Sequence, residues 1–145
     1  MQTLRLLTTA LALTATVAVA HRGVSNPAVM ARMNAMSDIS ENVKTLGTMA
    51  KGQRDFDRQL ARASAANIAD HAARSVDLFK APETDPKSEA LPAIWDDYAD
   101  FTAKSVEMQR VAQALAGSIE TLADVQAGMG PLGQTCSACH KLYRE

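Results

Sequence analysis

Apolar and small residues recur along much of this chain at alternating intervals of three and four, the spacing of one helix face rather than of a strand. The first run opens at Asn26-Pro27, an Asn cap before a Pro whose missing N–H is no loss in a first helical turn. Val29, Met33, Met36, Ser40, Val43, Gly47 and Ala50 follow in phase, and Ile39 and Leu46 widen the face. Lys51-Gly52 supplies a cationic last turn and a glycine stop. A second helix is predicted over residues 55–79, on a weaker stripe of Phe56, Leu60, Ala63, Ile68 and Val76. Residues 81–91 read as a loop, with Glu83, Asp85 and Glu89 as solvated turn acids. A third helix opens at Pro92 and keeps Ile94, Tyr98, Phe101, Ser105, Met108, Ala112 and Leu115 in phase until Gly117. The last seam is Ile119, Leu122, Gln126, Met129, Gly133, Cys136, His140 and Tyr143, with a kink or restart expected at Gly130-Pro131. Four amphipathic helices on short connections predict an all-α fold, an antiparallel four-helix bundle.

Composition sharpens this picture. The 145 residues fit one domain, 47% are hydrophobic, and only 4% are aromatic. A core built from Ala, Leu, Val and Met suits helices and argues against a β-sandwich or barrel. It also leaves room for a large apolar body that is not a side chain. A net charge of −1 without a basic block argues against nucleic acid as a partner. Arg54, Arg58 and Arg62 form a basic stripe on the second helix, which reads more simply as a solvated face than as a docking site.

Ahead of the first helix, Arg5 precedes an apolar run over residues 6–19, and Ala18-Val19-Ala20 has the form of an A-x-A cleavage site. This predicts a cleaved secretory signal peptide over residues 1–20 and a periplasmic bundle over residues 21–145, with no membrane span in the mature chain.

An oxidising compartment would ordinarily pair Cys136 with Cys139. Cysteines three apart in a helix are awkward to bridge, however, and His140 follows at once. Cys136-Ser137-Ala138-Cys139-His140 is the C-x-x-C-H signature of covalent c-type haem attachment. On a helix the two thiols share one face and can add to the two haem vinyl groups. His140, one turn from Cys136, shares that face and can bind the iron. A thioredoxin-like use would need a βαβ context, which the pattern lacks. A zinc site would need a fourth ligand from His71, His21 or an acid. One covalent haem c is therefore the expected cofactor, in a cavity beside Cys136, Cys139 and His140. No distal acid–base pair falls on the seams, so a non-enzymatic role is expected.

With its haem motif at the C-terminus, followed by Tyr143-Arg144, the chain resembles the class II cytochromes c, the cytochrome c′ family. Leu46-Gly47-Thr48-Met49-Ala50-Lys51-Gly52 closing the first helix and Ile94-Trp95 opening the third extend the likeness over the chain after the signal peptide. The resemblance implies a four-helix bundle around one haem, with His140 as proximal iron ligand. It places Met36 at the distal position, where the low-spin members bind iron through a Met thioether. It also implies haem contacts for Arg32 and Arg144. Trp95 reads as a staple over the bundle end. Two functions follow. One is electron transfer with periplasmic or membrane-bound redox proteins. The alternative is a five-coordinate, high-spin haem that takes up nitric oxide or carbon monoxide. Relatives occur as homodimers or as monomers, and both states stay open here.

Overall fold

The computed structural model of the protein describes residues 23–145, so the signal-peptide prediction and His21 lie outside the described residues. Five helices follow in order: α1 Pro27–Ala50, α2 Arg58–Leu78, α3 Ala93–Asp96, α4 Tyr98–Ser118 and α5 Leu122–Tyr143. The four long ones form the bundle, and the chain belongs to the all-α class predicted above. No strand is assigned among the described residues, apart from an isolated antiparallel bridge between Ala90 and Arg144.

Each long helix starts on a side-chain cap. Asn26 accepts from the Ala28 and Val29 amides at 2.8 and 3.2 Å, Asp57 from Leu60 at 2.9 Å, and Asp97 from Asp100 at 3.1 Å. Thr121 and Asp124 form a reciprocal capping box. Gly52 closes α1 at φ +68°, a left-handed conformation that glycine adopts without a Cβ clash.

The predicted third helix is two elements. Asp97 sits at φ −134° and ψ 64°, which breaks the helical path and lets its carboxylate start α4. No restart occurs at Pro131, since α5 runs helical from Leu122 to Tyr143 through Gly130-Pro131. Both residues are exposed, so the unbonded carbonyl four residues before Pro131 lies on the solvent side, where water serves it.

The buried faces differ in phase from three of the predicted seams. In α1, Val29 is the one member of the predicted seven-residue seam that is buried, beside Arg32, Ala35, Ile39, Leu46 and Met49. In α5 the buried stripe is Leu122, Val125, Met129, Leu132, Cys136, Cys139 and Tyr143, whereas Gln126 and Gly133 are exposed. The predicted phase was anchored on Ile119, which is the C-cap of α4 rather than part of α5. In α2, Leu60 and Ala63 are exposed. The buried face there is Ala61, Ser64, Ala65, Ile68, Ala69, Ala72 and Ser75. Small side chains let α2 lie close against both α1 and α4, so its face carries little hydropathy signal. Leu46, Met49, Ile68, Ile119 and Leu132 fill the middle of the bundle with essentially no exposure. Each stabilises the fold by roughly 1.5–3 kcal/mol through burial.

Aromatic residues are few but concentrated. Every one except Phe56 sits in a second cluster at one end of the bundle, where Phe79, Ile94, Phe101 and Tyr143 are buried and Trp95 and Tyr98 pack against them. Phe101 is the hub, with ring centroids 5.1 Å from Phe79, 6.0 Å from Tyr98 and 5.5 Å edge-on from Tyr143. Cys139 and Met36 pack against this cluster, which places it beside the cofactor motif.

Candidate cofactor site

A cleft of about 400 Å³ opens at the aromatic end, and a second lobe of about 230 Å³ adjoins it. The main lobe alone is within the size range of small-molecule and cofactor pockets, about 300–1,000 Å³. Met36, Ser40, Phe101, Cys139, His140 and Arg144 border both lobes. Cys136 borders the second lobe only, and Arg32 and Tyr143 the first only. The cavity expected beside the C-x-x-C-H motif is therefore present, with Met36 in its wall. The donor set matches a covalent haem: two thiols and an imidazole from α5, a thioether from α1, and an apolar, aromatic lining between them.

α1 delivers Met36 because two of its faces are in use. Val29, Arg32, Ala35, Ile39, Leu46 and Met49 are buried. The adjacent face, with Met33, Met36, Ser40 and Val43, is turned to the cavity. These are positions that periodicity assigns to the core, and they form cavity wall.

The α5 groups are unbridged and border the cavity. Cys136 and Cys139 are half-buried and unbridged. Burial pushes both thiols above their ordinary pKa, although Lys104 pulls Cys139 the other way. The Cys136 Sγ lies 3.5 Å from the Leu132 carbonyl, to which it donates. His140 is exposed toward the cleft. Desolvation against the wall, and then the nearby Arg144 cation, hold it below the usual histidine pKa, with Glu89 opposing. A neutral imidazole is the form that binds a metal. Among the described residues, no group of three or more His, Cys, Asp and Glu converges as a metal site of that kind would require.

Arg32 is buried at 2% exposure. Its Nε donates to the Leu78 carbonyl at 2.8 Å, its Nη1 to that of Glu83 at 2.7 Å, and its Nη2 to that of Ala81. The guanidinium lies over both the Phe79 and the Trp95 rings, 5.0 and 5.3 Å from their centroids. Trp95 in turn donates to the Phe79 carbonyl at 2.8 Å and staples the bundle end. Arg144 pairs with Glu89, with Nε to Oε2 at 2.6 Å. Tyr143 donates to Asp100 Oδ2 at 2.5 Å, and Lys104 holds the other oxygen at 2.8 Å. Phe101 and Tyr143 were visible in the sequence only as core positions, and nothing in the sequence indicated that Lys104 or Glu89 borders the cavity.

The loop acids are not simply solvated. Asp85 is buried at 6% exposure and its carboxylate accepts four hydrogen bonds, while Glu83 and Glu89 each bond another part of the fold. The predicted basic stripe is shorter than expected, because Arg54 precedes α2, and Arg58 and Arg62 keep the solvated setting read from the sequence while making surface ion pairs. Arg58 and Arg62 both pair with Glu120, and Arg62 also caps the Ile119 carbonyl at 2.7 Å. His71 stands apart from the cavity, half-buried, with Nε2 3.6 Å from Asp38.

The bundle and its cleft, with thiols and imidazole on one wall and a thioether on another, define a helical c-type haem protein. Residues 27–144 match the model of the family described as Cytochrome C', and the chain belongs to that family and carries one covalent haem c. It is 35% identical over 118 residues to a cytochrome c-556 of Agrobacterium tumefaciens (strain apple 185), spanning 79% of this chain and 91% of the relative. It is 36% identical over 126 residues to a cytochrome c-554 of Cereibacter sphaeroides, spanning 79% and 90%. Among solved structures, cytochrome c′ from Rhodopseudomonas palustris superposes with a TM-score of 0.77 at 30% identity, covering 83% of this chain and 98% of that one.

Proposed function

We propose that this protein is a periplasmic electron carrier whose haem is held by thioethers from Cys136 and Cys139 and ligated by His140 and Met36. The observation that carries the reading is that His140 of α5 and Met36 of α1 border both lobes of the same cavity. Relatives named cytochrome c-556 and c-554 fit the low-spin, Met/His-ligated branch. When bound, such a haem supplies one-electron iron chemistry with the same two ligands in both oxidation states. The chain's own residues do the rest. Cys136 and Cys139, unbridged on one face of α5, would hold the haem through two thioether bonds. Met36 fills the position that a diatomic gas would take. The aromatic cluster keeps water from one side of the cleft. Arg32 and Arg144 border the main lobe and are the cations placed to meet the cofactor's acid groups, in addition to the bonds they already make.

Export follows from the predicted signal peptide. No helix of the described residues is long and apolar enough to cross a membrane. Periplasmic or membrane-bound redox proteins are the proposed partners. One feature favours the five-coordinate, gas-binding alternative: Ile39, Val43 and Met108 give the second lobe an apolar wall beside Met36. Absorption spectra of the purified holoprotein decide between them. Sharp, split low-spin bands when reduced, with the weak thioether-to-iron band when oxidised, are expected, and Met36→Ala should become high-spin and bind carbon monoxide. A wild-type protein that is already high-spin and gas-reactive would overturn the assignment.

A further inference from the structure

The segment between α2 and α3 bonds both helices that face each other across the cavity. Toward α1, Asp85 Oδ2 accepts from the Ser25 amide, the Ser25 hydroxyl and the Asn26 amide at 2.9, 3.0 and 3.1 Å. Glu83 takes the Asn26 side-chain amide at 2.8 Å. Arg32, one turn before Met36, fixes the carbonyls of Leu78, Ala81 and Glu83. Toward α5, the Leu91 amide donates to the Tyr143 carbonyl and the Glu145 amide to the Glu89 carbonyl, both at 3.0 Å. Between these ends the segment is stiffened from within. The Lys87 amide donates to Asp85 Oδ1 at 2.9 Å, the Ser88 amide to the Asp85 carbonyl at 2.8 Å, and the Ala90 amide to Ser88 Oγ at 3.3 Å. Hydrogen bonds joined by short stretches of backbone thus run from Ser25 and Asn26 at the start of α1, through Asp85 and Ser88, to Tyr143 and Glu145 beyond His140, and Arg32 holds the same segment one turn before Met36.

We propose that residues 78–91 act as a brace that sets the separation of the Met36 and His140 walls, with Asp85 as its keystone positioning residue. The geometry gives Asp85 this place. It is the buried carboxylate of the segment, one oxygen grips α1, and the other holds the turn that leads to the α5 contacts. If the grip is lost, α1 can draw back without any change at the α5 motif itself, and a soft thioether is the ligand most easily released. The effect on ligation rests on the assignment of Met36 above. The mechanical coupling does not.

Two measurements on the holoprotein test this. Residue-resolved amide hydrogen exchange of Asp85→Ala should show the Leu91 and Glu145 amides exchanging at least about tenfold faster, together with the first turn of α1. Asp85→Asn, which keeps one acceptor oxygen, should lie between Ala and wild type. In the same variants the oxidised thioether band should weaken and carbon monoxide should bind faster, with helical content unchanged. Acceleration confined to residues 25–32 and 85–88 overturns the brace. Coupled exchange with an intact thioether band, in a protein where Met36→Ala abolishes that band, overturns its control of ligation. Coupled exchange in a protein whose spectrum ignores Met36→Ala leaves the brace standing and removes the Met36 assignment instead.

Discussion

Two glycines in the cofactor-bearing helix make a paired test of how tightly α5 is seated. A Cβ added at Gly128 would lie 2.3 Å from Leu115 Cδ1, 2.9 Å from Cδ2 and 3.1 Å from Cγ. Leu115 is itself buried at 6% exposure among the bundle core, so its methyls have little room to swing away. At Gly133 the added Cβ meets nothing within 4 Å, and that residue borders neither lobe of the cavity. Both positions are helical, so each Ala gains about 0.8–1 kcal/mol of helix propensity. Gly133→Ala should therefore stabilise by about that amount. Gly128→Ala gains the same and loses about 1–3 kcal/mol to overpacking, for a net change between roughly zero and 2 kcal/mol of destabilisation. Subtracting the two variants cancels the propensity contribution and leaves the cost of the α4–α5 contact alone. Urea unfolding of the two holoproteins, followed by far-UV circular dichroism, reads this as opposite or clearly separated shifts in midpoint at equal slope. Equal upward shifts would refute the reasoning, because they would mean that Leu115 yields freely and that the α4–α5 seam is not close-packed.

Two further outcomes are expected. Asp85 is held down to about 2 by the amides of Lys87 and Ser25 first, and then by Asn26 and the Ser25 hydroxyl. Because its folded pKa lies below the ordinary carboxylate value of about 3.9, its contribution is fully present above about pH 4 and is lost as the pH falls toward 2. The stability gap between wild type and Asp85→Ala should stay constant from about pH 7 to 5 and close between about 4 and 2; a gap that is flat down to pH 2 counts against the Asp85 network. Pro131→Ala should stabilise the fold by about 1–3 kcal/mol, read as a raised urea midpoint, because α5 is already helical through that position and Ala restores the missing N–H.

The legible parts of the fold were those with a repeating or local signal. The three-and-four spacing located α1 and α4 because each buries bulky residues such as Leu46 and Phe101 along one face. C-x-x-C-H is contiguous, so its chemistry could be read without the fold. Position in the bundle was harder. The α2 face is alanine and serine, and small residues contribute close approach rather than hydropathy. The α5 phase was displaced because Ile119 is buried as a cap and looks like the first member of a stripe. Asp85 illustrates a third kind of blindness. A buried acid in a Pro-containing loop has the same local sequence as a solvated one, and only the return of Ser25 and Asn26 to that point distinguishes them. Arg32 likewise sits in phase with Val29, Ala35 and Ile39, an apolar face on which a charge is unexpected until the carbonyls of the loop are brought to it.

The uneven placement of aromatic residues fits the division of labour along the bundle. Away from the cavity, aliphatic side chains and small residues suffice, because the helices pack directly on one another. At the cavity end the rings of Phe79, Phe101 and Tyr143 line the cleft, and their width fills space that aliphatic chains would leave open. The last carbonyls of α2 and those just beyond it have no helical partner, and a buried guanidinium over two rings answers them. Arg32 and Asp85 follow from the same need. Opening a helical bundle for a haem removes helix–helix contacts at that end, and the loop supplies in hydrogen bonds the rigidity that packing supplies elsewhere. On the proposed ligation, the Met36 thioether would gain most from that rigidity, since a weakly held ligand stays bound only while the helix that carries it keeps its place.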